Sequence, residues 1–210
     1  MMKLMSLLVA ASLCAVGATV SGEMVFDREQ LVLGTADGMT TVSLGRCVSA
    51  WETGAPSVPI AVAQLVVPQG MKVVGVTVDA LDTETVGEFD VYPVQPARPL
   101  SDPGPFEYVP PDPRFYGAVY PGQVATAGHQ GSMFGYNIAS VFVAPVQYNG
   151  TDRILTFHPK VRFTLELEPA ELGYLPVGMR TEQARRRLEA QVTSIVMNPE
   201  DVGRYAPNSR

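Results

Sequence analysis

The sequence predicts an all-β fold: an antiparallel β-sandwich of the Ig-like or jelly-roll-like kind, followed by one C-terminal helix. Three observations predict it. Apolar residues recur mostly at every second position in runs of four to eleven residues, the period of a half-buried strand. Eighteen Pro and nineteen Gly among 210 residues cut the chain into short segments separated by turn signals. Only one segment carries a helical repeat.

The elements follow in order. Val25 to Leu33 and Thr40 to Val48 read as strands, with Asp37-Gly38 as the turn between them. Gly54-Ala55-Pro56-Ser57-Val58-Pro59 is a stiff connector. Ile60 to Val67 is rich in Val and ends at Pro68-Gln69-Gly70. In Met71 to Leu81, Val74, Val76, Val78 and Ala80 share one parity, with Thr77 and Asp79 on the other. Phe89 to Tyr92 is a further short strand. Pro93 to Pro121 differs, with nine prolines in 29 residues and little periodicity. Proline donates nothing to a sheet ladder, so this stretch is a long loop. A loop of that length calls for a functional explanation or for disorder.

Strand signals return at Gln123 to Ala127, Tyr136 to Val146, Ile154 to Phe157 and Val161 to Glu168, with Tyr148-Asn149-Gly150 as a hairpin turn. The last of these is the clearest: Val161, Phe163, Leu165 and Leu167 alternate with Arg162, Thr164, Glu166 and Glu168. The helix runs from Glu182 to about Val196. Thr181 caps it, Leu188, Val192, Ile195 and Val196 form its apolar face, and Pro199 lies beyond its end. Arg185, Arg186 and Arg187 read as its wet face, with a processing site or an acidic partner as the alternative.

The N-terminus reads as an export signal. Lys3 precedes an apolar run from Leu4 to Val16, and the small residues Gly17, Ala18, Ser21 and Gly22 follow. The run is shorter than the roughly 20 residues of a membrane span; the alternative is an N-terminal core strand. The expected layout is a signal peptide over 1–22, a sandwich over 23–175 and a helical, processing segment over 176–210. The chain is then secreted, with no membrane span after signal removal. Signal removal leaves a single cysteine, Cys47, and no internal disulfide. The net charge of −6 argues against nucleic acid as a partner.

The residues carry no recognisable catalytic machinery. Cys47 has only His129 and His158 as bases, and its neighbours Leu44 and Val48 suit a buried thiol. Two isolated histidines make no metal site, and no phosphate loop or serine elbow is present. The expectation is no catalytic residue, no metal and no cofactor. Arg98-Pro99 in the proline-rich loop has a different interest. An exposed arginine followed by proline, which has no N–H and a fixed φ, suits a segment that enters an arginine-specific pocket without being cut. A plain surface arginine is the alternative.

Several stretches together resemble the propeptide of the gingipain (C25) cysteine peptidases. They are Gly54 to Pro59 (a "GxPxLP"-like start), Val66-Val67-Pro68 with Met71-Lys72-Val73, and Tyr120-Pro121-Gly122. Phe142 to Asn149 is similar to a "PxQYNP" signature, and Val161 to Leu165 to the family's terminal strand; the likeness spans about residues 25 to 205. Gly150 departs from the usual proline. The resemblance implies a secreted β-sandwich pro-domain that assists folding, docks on a gingipain-like peptidase in cis or in trans, blocks its cleft and is cut away. It implies that a loop arginine ahead of the Tyr-Pro-Gly motif enters the specificity pocket: Arg98, with Arg114 in reserve. It implies processing after Arg204 or Arg210, beyond Ser194-Ile195-Val196-Met197-Asn198. The family's catalytic Cys and His belong to a peptidase domain that is not among these 210 residues, so no residue here inherits a catalytic role. The rival readings are a free-standing exported binding or adhesion module and a hydrolase built on Cys47.

Overall fold

The computed structural model describes residues 18–97, 101, 104, 107–171 and 181–207. Every pairing between its strands is antiparallel. The organising strand is β13 (Lys160–Pro169), flanked by β1 (Ala18–Val25) and β6 (Met71–Leu81). Its alternation does what the period of two requires. Val161, Phe163, Leu165 and Leu167 are all at most 2% exposed, while Arg162, Glu166 and Glu168 face solvent.

The buried row of β13 packs on a second sheet, ordered β4 (Val48–Ser49), β5 (Pro59–Val67), β10 (Tyr136–Val143), β9 (Ala125–Met133). Ala61, Ala63, Leu65 and Val67 of β5 and Ala139, Val141 and Val143 of β10 complete this core. Small residues on β5 and β10 opposite Phe163 and the leucines of β13 let the layers interdigitate.

A second core lies beside the first. The sheet β7 (Glu84–Glu88), β12 (Ile154–Phe157), β11 (Val146–Asn149), β8 (Val119–Tyr120) closes over the hairpin of β2 (Leu31–Ala36) and β3 (Met39–Leu44). Tyr148, Leu155, Phe157, Val42, Leu44 and Val58 are buried there. As expected, Asp37 and Gly38 make the β2–β3 turn, both with positive φ (50° and 79°).

The C-terminal helix α2 (Glu182–Thr193) starts where Thr181 predicts, its hydroxyl accepting from the Ala184 N–H at 3.1 Å. It buries Val192, and Val196 follows it, against Val66, Tyr136 and Ile138 on the outer face of β5 and β10. Ile195, expected on the same face, is instead exposed. Arg185 and Arg186 both reach the Glu182 carboxylate, which is held below its usual range chiefly by the Arg185 hydrogen bonds. The segment beyond α2 runs beside β5. Asn198 accepts from the Val66 N–H at 2.9 Å and donates to the Val66 carbonyl at 2.8 Å, and the Met197 N–H reaches Gln64 O. A side-chain amide thus does the work of a strand at this edge.

Several segments differ from their sequence reading. Val25 to Leu33 is no single strand: Asp27 accepts from the Glu29 N–H and caps a 3-10 turn at Arg28–Gln30. Thr40 to Val48 breaks after Leu44. Tyr136 to Val146 divides at Ala144-Pro145, where the chain passes from one sheet to another. Phe89 to Tyr92 makes only an isolated bridge, Val91 to Thr40, and its neighbour β7 is the true strand. β9 continues through the glycine-rich stretch to Met133. A one-turn helix, α1 (Pro113–Tyr116), lies inside the proline-rich loop; Asp112 caps it and Pro113 opens it.

β1 begins at Ala18, paired residue for residue with β13 from Ala18 opposite Leu167 to Val25 opposite Lys160. A leader ending at Gly22 would remove five of its eight residues, including the buried Val20. Gly22 lies opposite Phe163, and a Cβ there would come within 2.6 Å of the ring. The glycine therefore makes room for the largest side chain of the core. The apolar run Leu4 to Val16 lies outside the described residues.

Candidate functional site

The proline-rich segment between Pro93 and Pro121 is anchored at both ends by polar contacts. Gln95 is the clamp. Its amide donates to Val109 O at 2.9 Å and its Oε1 accepts from the Val109 N–H at 2.9 Å. One side chain thereby pairs two backbone stretches as a β-bridge would, and ties off the intervening residues 96–108. Its amide also reaches Pro93 O.

Gly54 supports both stems from below. Its N–H donates to Val94 O at 2.9 Å, and its carbonyl accepts from the Asp112 N–H at 3.0 Å. With φ +82°, and with Asp112 Cβ 3.2 Å from where a Cβ would stand, the position suits glycine. Ala55 O accepts from the Val94 N–H at 2.7 Å. The Gly54 to Pro59 connector is therefore the seat of the loop.

Tyrosine hydroxyls fix the exit stem. Tyr116 donates to Val91 O at 2.6 Å, and Tyr120 to Glu52 at 2.6 Å. Burial pushes both phenols well above their ordinary range, Tyr120 with help from the Glu52 carboxylate, so both remain donors. The Tyr120–Pro121 bond is cis. Pro121 O accepts from Gln147 Nε2 at 2.6 Å, and Gln147 Oε1 lies 2.9 Å from His158 Nε2.

Of the loop residues singled out in the sequence, Arg98 and Pro99 lie outside the described residues. Arg114 is on α1, its side chain four-fifths exposed. Its guanidinium forks onto Asp112, with Nη2 to Oδ2 at 2.6 Å and Nε to Oδ2 at 2.9 Å, and stacks near Phe115. The hydrogen bonds from Arg114 hold the Asp112 carboxyl below its usual range.

The two processing candidates also separate. Arg204 is exposed, but the peptide bond after it sits in a turn: the Tyr205 N–H donates to Asp201 O at 2.9 Å, and Tyr205 packs against both neighbouring cores. Peptidases bind extended backbone, so this bond is protected while the turn stands. Arg210 lies outside the described residues.

Cys47 is half-buried, and burial pushes its thiol up, away from the thiolate that nucleophilic work needs. His158 is buried with both ring nitrogens engaged, Nδ1 with Thr83 and Nε2 with Gln147. His129 is exposed on β9. Among the described residues, no group of three His, Cys, Asp or Glu is placed to hold a metal.

Sequence reasoning missed the cleft beside the loop's exit. Ala50 to Glu52, Tyr120 to Gln123 and Phe142 enclose about 360 Å³ there. The tandem Trp51-Glu52 just ahead of the Gly54 connector was the available signal.

Solved structures share this fold, two of them from gingipain precursors. One is titled as the complex of the pro- and mature domains of RgpB from Porphyromonas gingivalis; the match has a TM-score of 0.64 at 20% identity, over 90% of this chain and 95% of that one. The other, on the zymogenic latency of gingipain K from the same organism, has a TM-score of 0.57 at 21% identity, over 75% of this chain and 90% of that one. No curated protein matches the sequence. The Propeptide_C25 family model matches residues 18–201, from the first residue of β1 to the turn after α2, and the chain therefore belongs to the Propeptide_C25 family.

Proposed function

We propose that this chain is the secreted propeptide of a gingipain-like cysteine endopeptidase, assisting its folding and blocking its active-site cleft until cleaved off. The observation that carries this reading is the built base of the loop. Gln95, Gly54 and Tyr116 fix both stems, so the segment 96–108 is offered to a partner from a preformed platform. Preorganisation lowers the ordering cost of binding. Arg98 is the residue that enters the specificity pocket, and Pro99 protects the bond after it. Arg114 is the weaker candidate, because entering a pocket would break its fork with Asp112. Export removes the leader ahead of Ala18, leaving β1 whole. Removal of the propeptide follows cleavage after Arg210, since the bond after Arg204 is held in its turn.

The test is inhibition in trans. The chain is added to the mature domains of RgpB and gingipain K, and inhibition constants are measured with arginyl and lysyl substrates. Arg98→Ala is expected to weaken inhibition by about 2–5 kcal/mol, the usual cost of truncating one partner of a buried charge contact. Arg114→Ala is expected to change it little. The reverse order would move the role to Arg114. Inhibition indifferent to both changes would remove the loop from the mechanism. No binding to either domain would favour the free-standing exported module.

A further inference from the structure

Among the described residues, the outer face of the β4-β5-β10-β9 sheet is covered over only part of its length. At one end Val66, Ile138 and Tyr136 lie under Val192, Val196 and Val202. Further along the same strands Val62 faces Phe142 in register; Phe142 is half-buried and Val62 is exposed. Val62 is 46% exposed. Trp51, the only tryptophan of the chain, leans on Phe142 with ring centroids 4.9 Å apart and is itself 58% exposed. Solvent exposure of a tryptophan beside further uncovered apolar side chains marks an interaction surface.

The cleft between Trp51 and the loop's exit gives this surface a chemistry. Of the residues lining it, Glu52 alone is charged. One carboxylate oxygen accepts from the Tyr120 hydroxyl, and no cation pairs with Glu52 among the described residues. An indole face next to an uncompensated carboxylate fits a guanidinium or ammonium group, by stacking on one side and charge pairing on the other. The cleft also shares Tyr120 and Pro121 with the exit stem of the loop, so a body engaged by residues 96–108 has this face within its reach.

We infer that the Trp51–Glu52 cleft, with Val62 and Phe142, is a second docking site for the catalytic domain of the C25 peptidase. It receives a surface segment of that domain in which a basic side chain is flanked by apolar ones. The inference rests on the propeptide reading and adds to it a contact outside the loop. Trp51 anchors the segment, and Glu52 selects its charge.

The experiment uses the full chain with 5-fluorotryptophan at Trp51, mixed with the mature domains of RgpB and gingipain K. Dissociation constants are measured alongside the fluorine signal. A shifted fluorine signal in the complex is expected. Trp51→Ala should raise the dissociation constant about tenfold or more, as truncating an interface tryptophan does. Glu52→Gln, which keeps the shape, should raise it less and flatten its dependence on salt. Because Trp51 is exposed, the thermal melt of Trp51→Ala serves as the folding control. A complex with an unshifted signal, and with Trp51→Ala bound as tightly as the parent chain, overturns the second site and leaves the propeptide reading standing. Absence of any complex overturns both.

Discussion

β13 and the two stems of the proline-rich segment from Pro93 to Pro121 are held by different means. β13 is held by burial: four side chains at period two, each nearly or wholly withdrawn from water, inside a ladder with β1 and β6. Among the described residues of the loop, Val94, Phe115, Tyr116 and Tyr120 join the second core. The stems are held by Gln95, by the backbone of Gly54 and by tyrosine hydroxyls, each bonded to a carbonyl or carboxylate far away in sequence. Burial is worth about 1.5–3 kcal/mol per large side chain, and a net hydrogen bond about 1 kcal/mol. The two regions should therefore fail differently: the strand with the whole fold, the loop by itself.

The largest expected effect lies on the strand side. Phe163→Ala removes a ring at the centre of the first core, opposite Gly22, and should cost about 3–5 kcal/mol in urea unfolding. A loss below about 1 kcal/mol would mean that this core is not where the stability resides. The loop side gives the contrast. Gln95→Leu should cost only about 1–2 kcal/mol globally, yet it should open residues 96–108 to nicking by a protease of broad specificity. Unchanged nicking in Gln95→Leu would show that the clamp does not hold the loop, whatever the melt reports.

The same contrast explains how much was legible in the sequence. β13, β12, the Asp37-Gly38 turn and the start of α2 were readable because apolar period, turn residues and a threonine cap are local signals. β6 was readable as a strand, but its expected face of Val74, Val76, Val78 and Ala80 is broken by a bulge that packs Val73 with Val76 and Val78 against the first core and leaves Val74 exposed. The family likeness was readable from the ordered motifs that run from the loop's seat to β13. β1 was missed because Ala18, Ser21 and Gly22 look like the small residues of a cleavage site. What they serve, a strand with Phe163 packed on Gly22, appears only once β13 lies alongside. The anchoring of the loop's stems was hidden for a related reason. A glutamine that pairs with a backbone fourteen residues away has no period. The Trp51 cleft draws on four separate stretches of chain, so only its Trp51-Glu52 corner is visible in one dimension.

The smallest effect concerns a buried side chain between the two regions. His158 sits two residues before β13 and reaches the loop's exit through Gln147 and Pro121. Gln147 commits its amide hydrogens to Pro121, so its Oε1 accepts from His158 Nε2, and Nδ1 accepts from the Thr83 hydroxyl. That arrangement needs a neutral ring, and burial holds the imidazole below its ordinary 6.5. The unfolded chain therefore takes up this proton at higher pH than the folded one. The contribution is complete above about pH 6.5 and is lost as the pH falls toward the folded value, with a slope of at most about 1.4 kcal/mol per pH unit for one proton. Urea midpoints at pH 7.5 and 5.5 should fall further in the parent chain than in His158→Gln, even though the variant starts lower. Equal slopes would assign the acid sensitivity elsewhere and leave the link between strand and loop a neutral hydrogen-bond chain with no response to pH.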